Sequence, residues 1–277
     1  MRSFAFLFLV PGLLGFGVFY ILPFLRSMGY ALTSRQTGAF AGLANFADLI
    51  GNPAYTLGLT NTLFFIGVSV PLGMALSLLA AMAVNSLKRG KALVTLVFLI
   101  PLVIPSGSTA FFWQSLFAAN GHLNGVLTSL GIGAVKWTET AAVRFVVILI
   151  FLWKNMGYSM VLFLAGLNNI PKEYYEAARI DGANRRVVFT DITFVCLLPT
   201  TVLVAIMSVV NSFKVFKEIY MLTGSYPHES IYTLQHFMNN MFTALNYSRL
   251  TAAMALLVLG IGFVTLLLLW LERRASA

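Results

Sequence analysis

The chain offers little to catalytic chemistry: 277 residues hold nine carboxylates, three histidines and a single cysteine. Cys196 can close no disulfide within the chain and build no thiolate metal site, so it reads as a small buried apolar residue. His122, His228 and His236 stand at spacings that fit no zinc motif. A phosphate loop needs G-x-x-x-x-G-K-[ST], and Gly90-Lys91 lacks the earlier glycine and is followed by Ala92. H-E-x-x-H and G-x-S-x-G are absent, and no pair of carboxylates falls inside an apolar run. Hydrolysis and proton relay therefore lack residues, and the sequence implies neither an enzyme nor a bound cofactor. What remains is Lys154, the one charge deep inside an apolar run, and Asn168 to Asp191, a 24-residue segment with eight of the 27 charged side chains.

The elements that must position these residues follow from composition. Hydrophobic residues make up 59% and charged residues 10% of the chain, against about 25% charged in a soluble domain. So few charges cannot coat a particle of this size, and lipid must cover much of it. The net charge of +9 then belongs to loops facing the cytoplasm rather than to nucleic-acid binding.

Charge-free stretches serve as a ruler, because a helix needs about 20 residues to cross a bilayer. They predict an all-α, polytopic membrane protein with six transmembrane helices, near 4–25, 59–84, 92–117, 145–167, 192–213 and 250–271. The whole chain, 1–277, reads as one transmembrane domain. None of the six spans contains an Asp or Glu, the usual mark of an ion-coupled carrier. Ser3 to Leu25 carries no charge over 23 residues, longer than a signal-peptide core, and reads as an anchor. An even count puts both termini on one side. With that side cytoplasmic, inner segments hold ten Lys and Arg against seven outside, which favours cytoplasmic termini. Pro71, Pro101 and Pro105 lie inside spans, where each frees a carbonyl and bends the helix; such kinks suit a pore or are plain structure. Trp113 and Trp270, near span ends, read as interfacial belt residues.

Within the charged segment Pro171 is placed for a first helical turn, Glu173 and Glu176 sit near the positive end of the dipole, and Gly182 offers a left-handed stop. A short cytoplasmic helix over about 171–181 is expected. Tyr174, Ala177, Ala178 and Asp181 fall on one face at helical spacing. The two alanines keep that face thin enough for a partner's groove; the other reading is an interfacial helix lying on lipid headgroups.

Glu176-Ala177-Ala178-Arg179-Ile180-Asp181-Gly182-Ala183, followed by Phe189, Ile192 and Pro199, resembles the EAA loop of binding-protein-dependent ABC importer permeases. Gly42-Leu43-Ala44-Asn45-Phe46, Asn61-Thr62 and Ile219-Tyr220-Met221-Leu222-Thr223-Gly224 are similar to the carbohydrate branch, the maltose and glycerol-3-phosphate type. The resemblance runs from about Phe8 to Trp270. It implies a type I importer permease in a bacterial plasma membrane, half of a pore completed by a second permease, with two cytoplasmic ATPase subunits and an external solute-binding protein. ATP would be used by the partner ATPase and not by this chain. The loop 168–191 would carry the coupling helix, with Tyr174, Glu176, Ala177, Ala178, Asp181 and Gly182 as ATPase-coupling residues and Glu176 meeting a basic residue of the cleft. One departure falls in span five: Phe194-Val195 stands where the family commonly has Leu-Pro, although Pro199 remains.

A sugar is held by hydrogen bonds to its hydroxyls and by aromatic faces, so the substrate path is sought among Trp153, Lys154, Asn155 and Tyr158 of span four and Ser208, Asn211 and Ser212 of span five. The resemblance places Tyr158 and Ser208 at sugar-holding positions with residue types kept, and Asn155, Asn211 and Ser212 at others with types changed. Lys154 must face an aqueous cavity or a partner, since a bare charge in a span costs at least about 2.5 kcal/mol. A secondary carrier for an anionic or sugar-like solute is the alternative, and would transport without partners; a membrane scaffold would carry no solute.

Overall fold

A computed structural model describes residues 2–275, with side chains from Phe8 to Arg274. The first helical run is α1 (Arg2–Phe16), a π turn (Gly17–Ile21) and α2 (Leu22–Ala31), followed by α3 (Ala44–Ile50) and α4 (Pro53–Ser86). Next come α5 (Lys91–Val103), α6 (Ser106–Phe117), α7 (His122–Ser129) and α8 (Val143–Asn168). The charged loop forms α9 (Lys172–Ile180), α10 (Arg185–Val187), a second π turn (Val188–Thr193) and α11 (Phe194–Cys196). After it come α12 (Leu198–Lys214), α13 (Phe216–Thr223), a 3-10 turn (Glu229–Ile231), α14 (Leu234–Thr243) and α15 (Tyr247–Ala275). Among the described residues, an isolated Thr33–Phe40 bridge is the sole β pairing.

Five helices among the described residues are long and apolar enough to cross a membrane: Phe8–Ala31, Pro53–Ser86, Val143–Asn168, Leu198–Thr223 and Tyr247–Arg274. The third expected span is instead a pair, Lys91–Val103 and Ser106–Ser129, bent by 93°. Counted as one broken span, it completes six. Pro105 supplies the cause: the residue before a proline is pushed out of the α region, and Ile104 is extended at φ −69°, ψ 126°. Pro71, by contrast, sits inside an unbroken α4.

The fifth span corrects the sequence reading most. It ends at Thr223 and not near 213, because α13 resumes one residue after α12, at Phe216. Charge was a false ruler here: Lys214 and Lys217 looked like an exit from the membrane, yet Glu218 beyond them is 3% exposed. An acid therefore does lie inside a span. At the other end, beyond the Leu-Pro departure, the chain passes through the π turn and α11, breaks at Leu197, and restarts with Pro199 in the first turn of α12.

Packing divides the chain into two compact units: the chain up to Thr56 with Phe237–Gly260, and Leu57–His236 with the chain from Ile261 on. In the first, Asn45 Nδ2 donates to the carbonyls of Ala31 and Thr33, both at 2.8 Å, closing the end of α2. Arg35 donates to the carbonyl of Ala244 at 3.2 Å, and Tyr55 meets Phe237 edge-on at 5.5 Å.

The second unit is organised around α8. Val143, Val147 and Phe151 pack with Phe65 and Val70 of α4 and with Val215 and Ile219. Met160, Phe163 and Leu167 pack with Ala81, Val84, Leu197 and Val204. Gly157 lets α5 approach closely: a Cβ there would stand 1.9 Å from the Phe98 carbonyl oxygen. At the other end, Arg144 donates to Ser230 O at 2.9 Å and to Asn61 Oδ1 at 3.0 Å, and its guanidinium lies 4.8 Å over the Phe64 ring. Asn61 Nδ2 in turn donates to the carbonyls of Glu229 at 2.6 Å and Tyr232 at 2.9 Å. The backbone N–H of Leu234 donates to Thr62 Oγ1 at 3.0 Å. The Asn61-Thr62 pair thus pins the segment after α13 to α4 and α8.

Candidate functional site: a charged cavity and the loop helix

The cavity, about 170 Å³, opens between α8 and the α12–α13 junction. α8 turns Lys154 and Asn155 into it, and α12 contributes Asn211 and Lys214. Lys154 is ion-paired with Glu218 of α13, a contact made to Oε1. Ser106, at the start of α6, donates to the same oxygen at 2.8 Å, and Lys154 Nζ lies 3.3 Å from the Ser106 hydroxyl. The two charges are 17% and 4% exposed at their side chains, so each depends on the other. One ion pair thereby ties α8, α13 and the first turn of the bent helix together.

Three of the seven expected path residues gather here, Lys154, Asn155 and Asn211. The other four stand elsewhere. Trp153 joins an aromatic stack, edge-on to Trp113 at 5.5 Å and parallel to Phe112 at 6.1 Å. Trp113 is 5% exposed in that stack, which overturns its reading as a belt residue; Trp270 is 53% exposed and carries Arg274 over its ring. Ser212 is buried, bonds its own helix at Val209 O (2.6 Å), and lines a separate small pocket with Phe65 and Phe216. Tyr158, half-buried, and Ser208, buried, do not line the cavity. Sequence reasoning missed Ser106, Lys214, Lys217 and Glu218. The signal for Glu218 was present: it precedes the apolar Ile219-Tyr220-Met221-Leu222, so that a helix continuing past Lys214 must carry it into the apolar layer.

The second site is α9. Its end has the geometry of a Schellman cap: Ala183 N–H donates to Ala178 O at 2.9 Å, Gly182 N–H to Arg179 O at 3.3 Å, and Gly182 sits at φ +71°. Tyr174, Glu176, Ala177 and Asp181 are exposed, and Ile180 projects at 87% exposure. Ala178 differs from its expected placement. It is 5% exposed and faces inward, because Tyr175 and Ala178, three apart, form the face that seats α9 on the bundle. Tyr175, also missed from sequence, makes the seat specific: its hydroxyl lies 3.2 Å from Thr193 Oγ1, which itself donates to Val188 O at 3.2 Å. α9 is thus joined to α8 by Asn169–Pro171 and, through Tyr175, to the π turn that leads into the fifth span.

Near the 3-10 turn, His236 is fully buried. Its Nδ1 accepts the Thr233 N–H at 3.2 Å, which leaves the proton of the neutral ring on Nε2. Burial lowers its pKa from 6.5 to about 4.

With this geometry in hand, comparison with known proteins is direct. A family model described as binding-protein-dependent transport system inner membrane component matches residues 73–277. The probable ABC transporter permease protein YesP of Bacillus subtilis (strain 168) is 31% identical over 275 residues, spanning 94% of this chain and 87% of that protein. The trehalose/maltose transport system permease protein MalF of Thermococcus litoralis is 32% identical over 228 residues, with 80% and 77% covered. A crystal structure of a bacterial ABC transporter involved in the import of the acidic polysaccharide alginate matches with a TM-score of 0.88 at 22% identity, over 99% of this chain and 96% of that one; at that identity the likeness is one of fold. Helical architecture, EAA loop and family match agree, and this chain belongs to the inner membrane components of binding-protein-dependent transport systems.

Proposed function

We propose that the chain is one permease subunit of an ATP-driven carbohydrate importer, with both termini in the cytoplasm. It forms half of the translocation path with a second permease, receives solute from an external binding protein, and takes its energy from a pair of ATPase subunits, α9 docking in the cleft of one of them. The chain has no ATP site of its own in this reading, and Glu176 meets a basic residue of the ATPase cleft.

The observation that carries the proposal is the build of α9. A nine-residue helix with Tyr174, Glu176, Ala177 and Asp181 exposed, and with Tyr175 and Ala178 fixing it to the bundle, has the form of a lever handle. The trehalose/maltose naming of a relative with 32% identity supports a carbohydrate, as do the Asn155 and Asn211 amides lining the cavity. Of the sequence candidates, Lys154, Asn155 and Asn211 line the cavity, while Trp153 stacks with Trp113 and Ser212 bonds its own helix. The cytoplasmic position of the loop accords with the excess of Lys and Arg on that side.

The test is copurification from native membranes followed by uptake. The tagged chain is expected to bring down a second permease and an ATPase, and Glu176→Lys is expected to abolish ATP-driven uptake while the protein stays in the membrane, because the reversed charge faces a basic partner. Uptake at the wild-type rate in that variant refutes the docking role of Glu176.

A further inference from the structure

The cavity holds more positive charge than its walls neutralise. Lys154 is cancelled by Glu218. Lys214 and Lys217 line the same space, and among the described residues neither is ion-paired with a carboxylate. Both lysines fall within the Leu198–Thr223 span, where an unmatched charge is costly. Lys214 is held in place: its Nζ donates to Asn211 Oδ1 at 2.9 Å. That bond leaves the Asn211 amide N–H groups to donate. Asn155 is complementary, because its Nδ2 donates to Phe151 O at 2.9 Å and its carbonyl oxygen remains to accept. Two ammonium groups without acids, beside one amide donor and one amide acceptor, describe a ligand with a negative group and hydroxyls.

The geometry points to an anionic saccharide, a sugar acid or sugar phosphate, as the solute of this cavity, with its negative group taken by Lys214 and Lys217 and its hydroxyls by Asn155 and Asn211. The inference rests on the carbohydrate reading above and narrows it. Glu218 then has a defined part: it keeps Lys154 neutralised inside the wall, so that the attraction felt by the solute comes from Lys214 and Lys217.

The test uses the permease–ATPase complex purified from native membranes without its external binding protein, in neutral phosphatidylcholine proteoliposomes. The probes are glucose- and galactose-based mono- to trisaccharides, each with its uronate, the methyl ester of that uronate, and its 6-phosphate. The ester keeps size and hydroxyls and removes the charge. An anionic member is expected to bind at least about tenfold more tightly than its ester, and raised salt is expected to weaken its binding without touching the ester's. Uronate against phosphate within one sugar decides which anion fits. Lys214→Gln and Lys217→Gln are each expected to weaken the anion about tenfold, about 1.4 kcal/mol, while Lys136→Gln, outside the cavity, leaves the preference intact. Esters binding as well as acids, or acids binding Lys214→Gln and Lys217→Gln as tightly as the wild type, overturn the inference and leave the carbohydrate reading standing. If the complete importer takes up a solute of another class and no saccharide of either charge, the carbohydrate reading itself fails.

Discussion

Removing one member of the Lys154–Glu218 pair and removing both should have opposite consequences. Glu218→Leu leaves the Lys154 ammonium, 17% exposed, without its carboxylate, and Lys154→Met leaves the Glu218 carboxylate, 4% exposed, without its cation. Breaking a buried pair from one side costs about 3–5 kcal/mol, because desolvation has already been incurred and its compensation is lost. If the residues acted independently, the double variant would lose about 6–10 kcal/mol. In the double variant, however, no charge remains to desolvate. The residual loss is the Ser106 hydroxyl deprived of its acceptor, about 1 kcal/mol. A double-mutant cycle on the full-length chain in mixed micelles, unfolded by SDS titration and followed by tryptophan fluorescence, measures the difference. A double variant as unstable as the sum of its singles refutes the coupling. Single variants that each lose under about 1 kcal/mol show instead that cavity water solvates both charges.

Three further outcomes follow from other contacts. Gly157→Ala places a methyl group 1.9 Å from the Phe98 carbonyl oxygen, a backbone atom that cannot rotate away; it should cost about 1–3 kcal/mol in the same titration, whereas Gly67→Ala, with open space at that position, should be neutral or slightly stabilising. Tyr175→Phe removes the hydroxyl bond to Thr193, about 1 kcal/mol, and should lower solute moved per ATP hydrolysed several-fold while ATPase copurification is unchanged. Acid should weaken the fold through His236: its pKa is lowered to about 4, so the unfolded chain takes up a proton near pH 6.5 that the folded chain refuses. Its contribution is complete above pH 6.5 and is lost as pH falls towards 4, about 3 kcal/mol in all. Thermal unfolding of His236→Asn, which keeps an acceptor for the Thr233 N–H, should show a shallower loss over that window, and an unchanged slope counts against the assignment.

Much of this architecture was legible because bilayer thickness and helix rise leave a clear mark on a chain with so few charges. Spans four and six were placed to within three residues, spans one and two run six residues further at one end, to Ala31 and from Pro53, and Gly182 announced the end of α9. The misreadings share one physical origin: the sequence shows where charges are, and not what they meet. Lys214 and Lys217 looked like the end of a span, but the helix resumes and its acid finds Lys154, which lies 64 positions earlier in the chain. The 93° bend depends on how Ile104 responds to Pro105, whereas Pro71 sits inside an unbroken helix. Trp113 and Trp153 looked like separate residues with separate duties, yet α6 and α8 bring them edge to face. On α9 the helical period put Tyr174, Ala177, Ala178 and Asp181 on one face, and three of them are exposed, but Ala178 turns with Tyr175 towards the bundle, a contact the period alone does not show.

The path from α9 to the cavity constrains how the proposed importer moves. A displacement of α9 reaches α8 through three linking residues and reaches the fifth span through Tyr175 and the π turn, so both walls of the cavity are driven from one handle. Those walls are also locked to each other. Met160, Phe163 and Leu167 interlock with Leu197 and Val204 at one end, Phe151 packs with Val215 and Ile219 at the other, and the buried ion pair joins the walls beside that second cluster. Sliding one wall past the other would expose that core and separate two charges that have no other counter-ion among the described residues. Packed cores resist such graded deformation and favour motion as a body. The α8–α12–α13 wall should therefore travel as one piece, with the Lys154–Glu218 pair intact in inward- and outward-open states, and access to the cavity should change at the boundary with the second permease. A Lys154→Cys, Glu218→Cys cross-link that preserved uptake would agree with this; one that formed readily and arrested transport would place the moving boundary inside this chain.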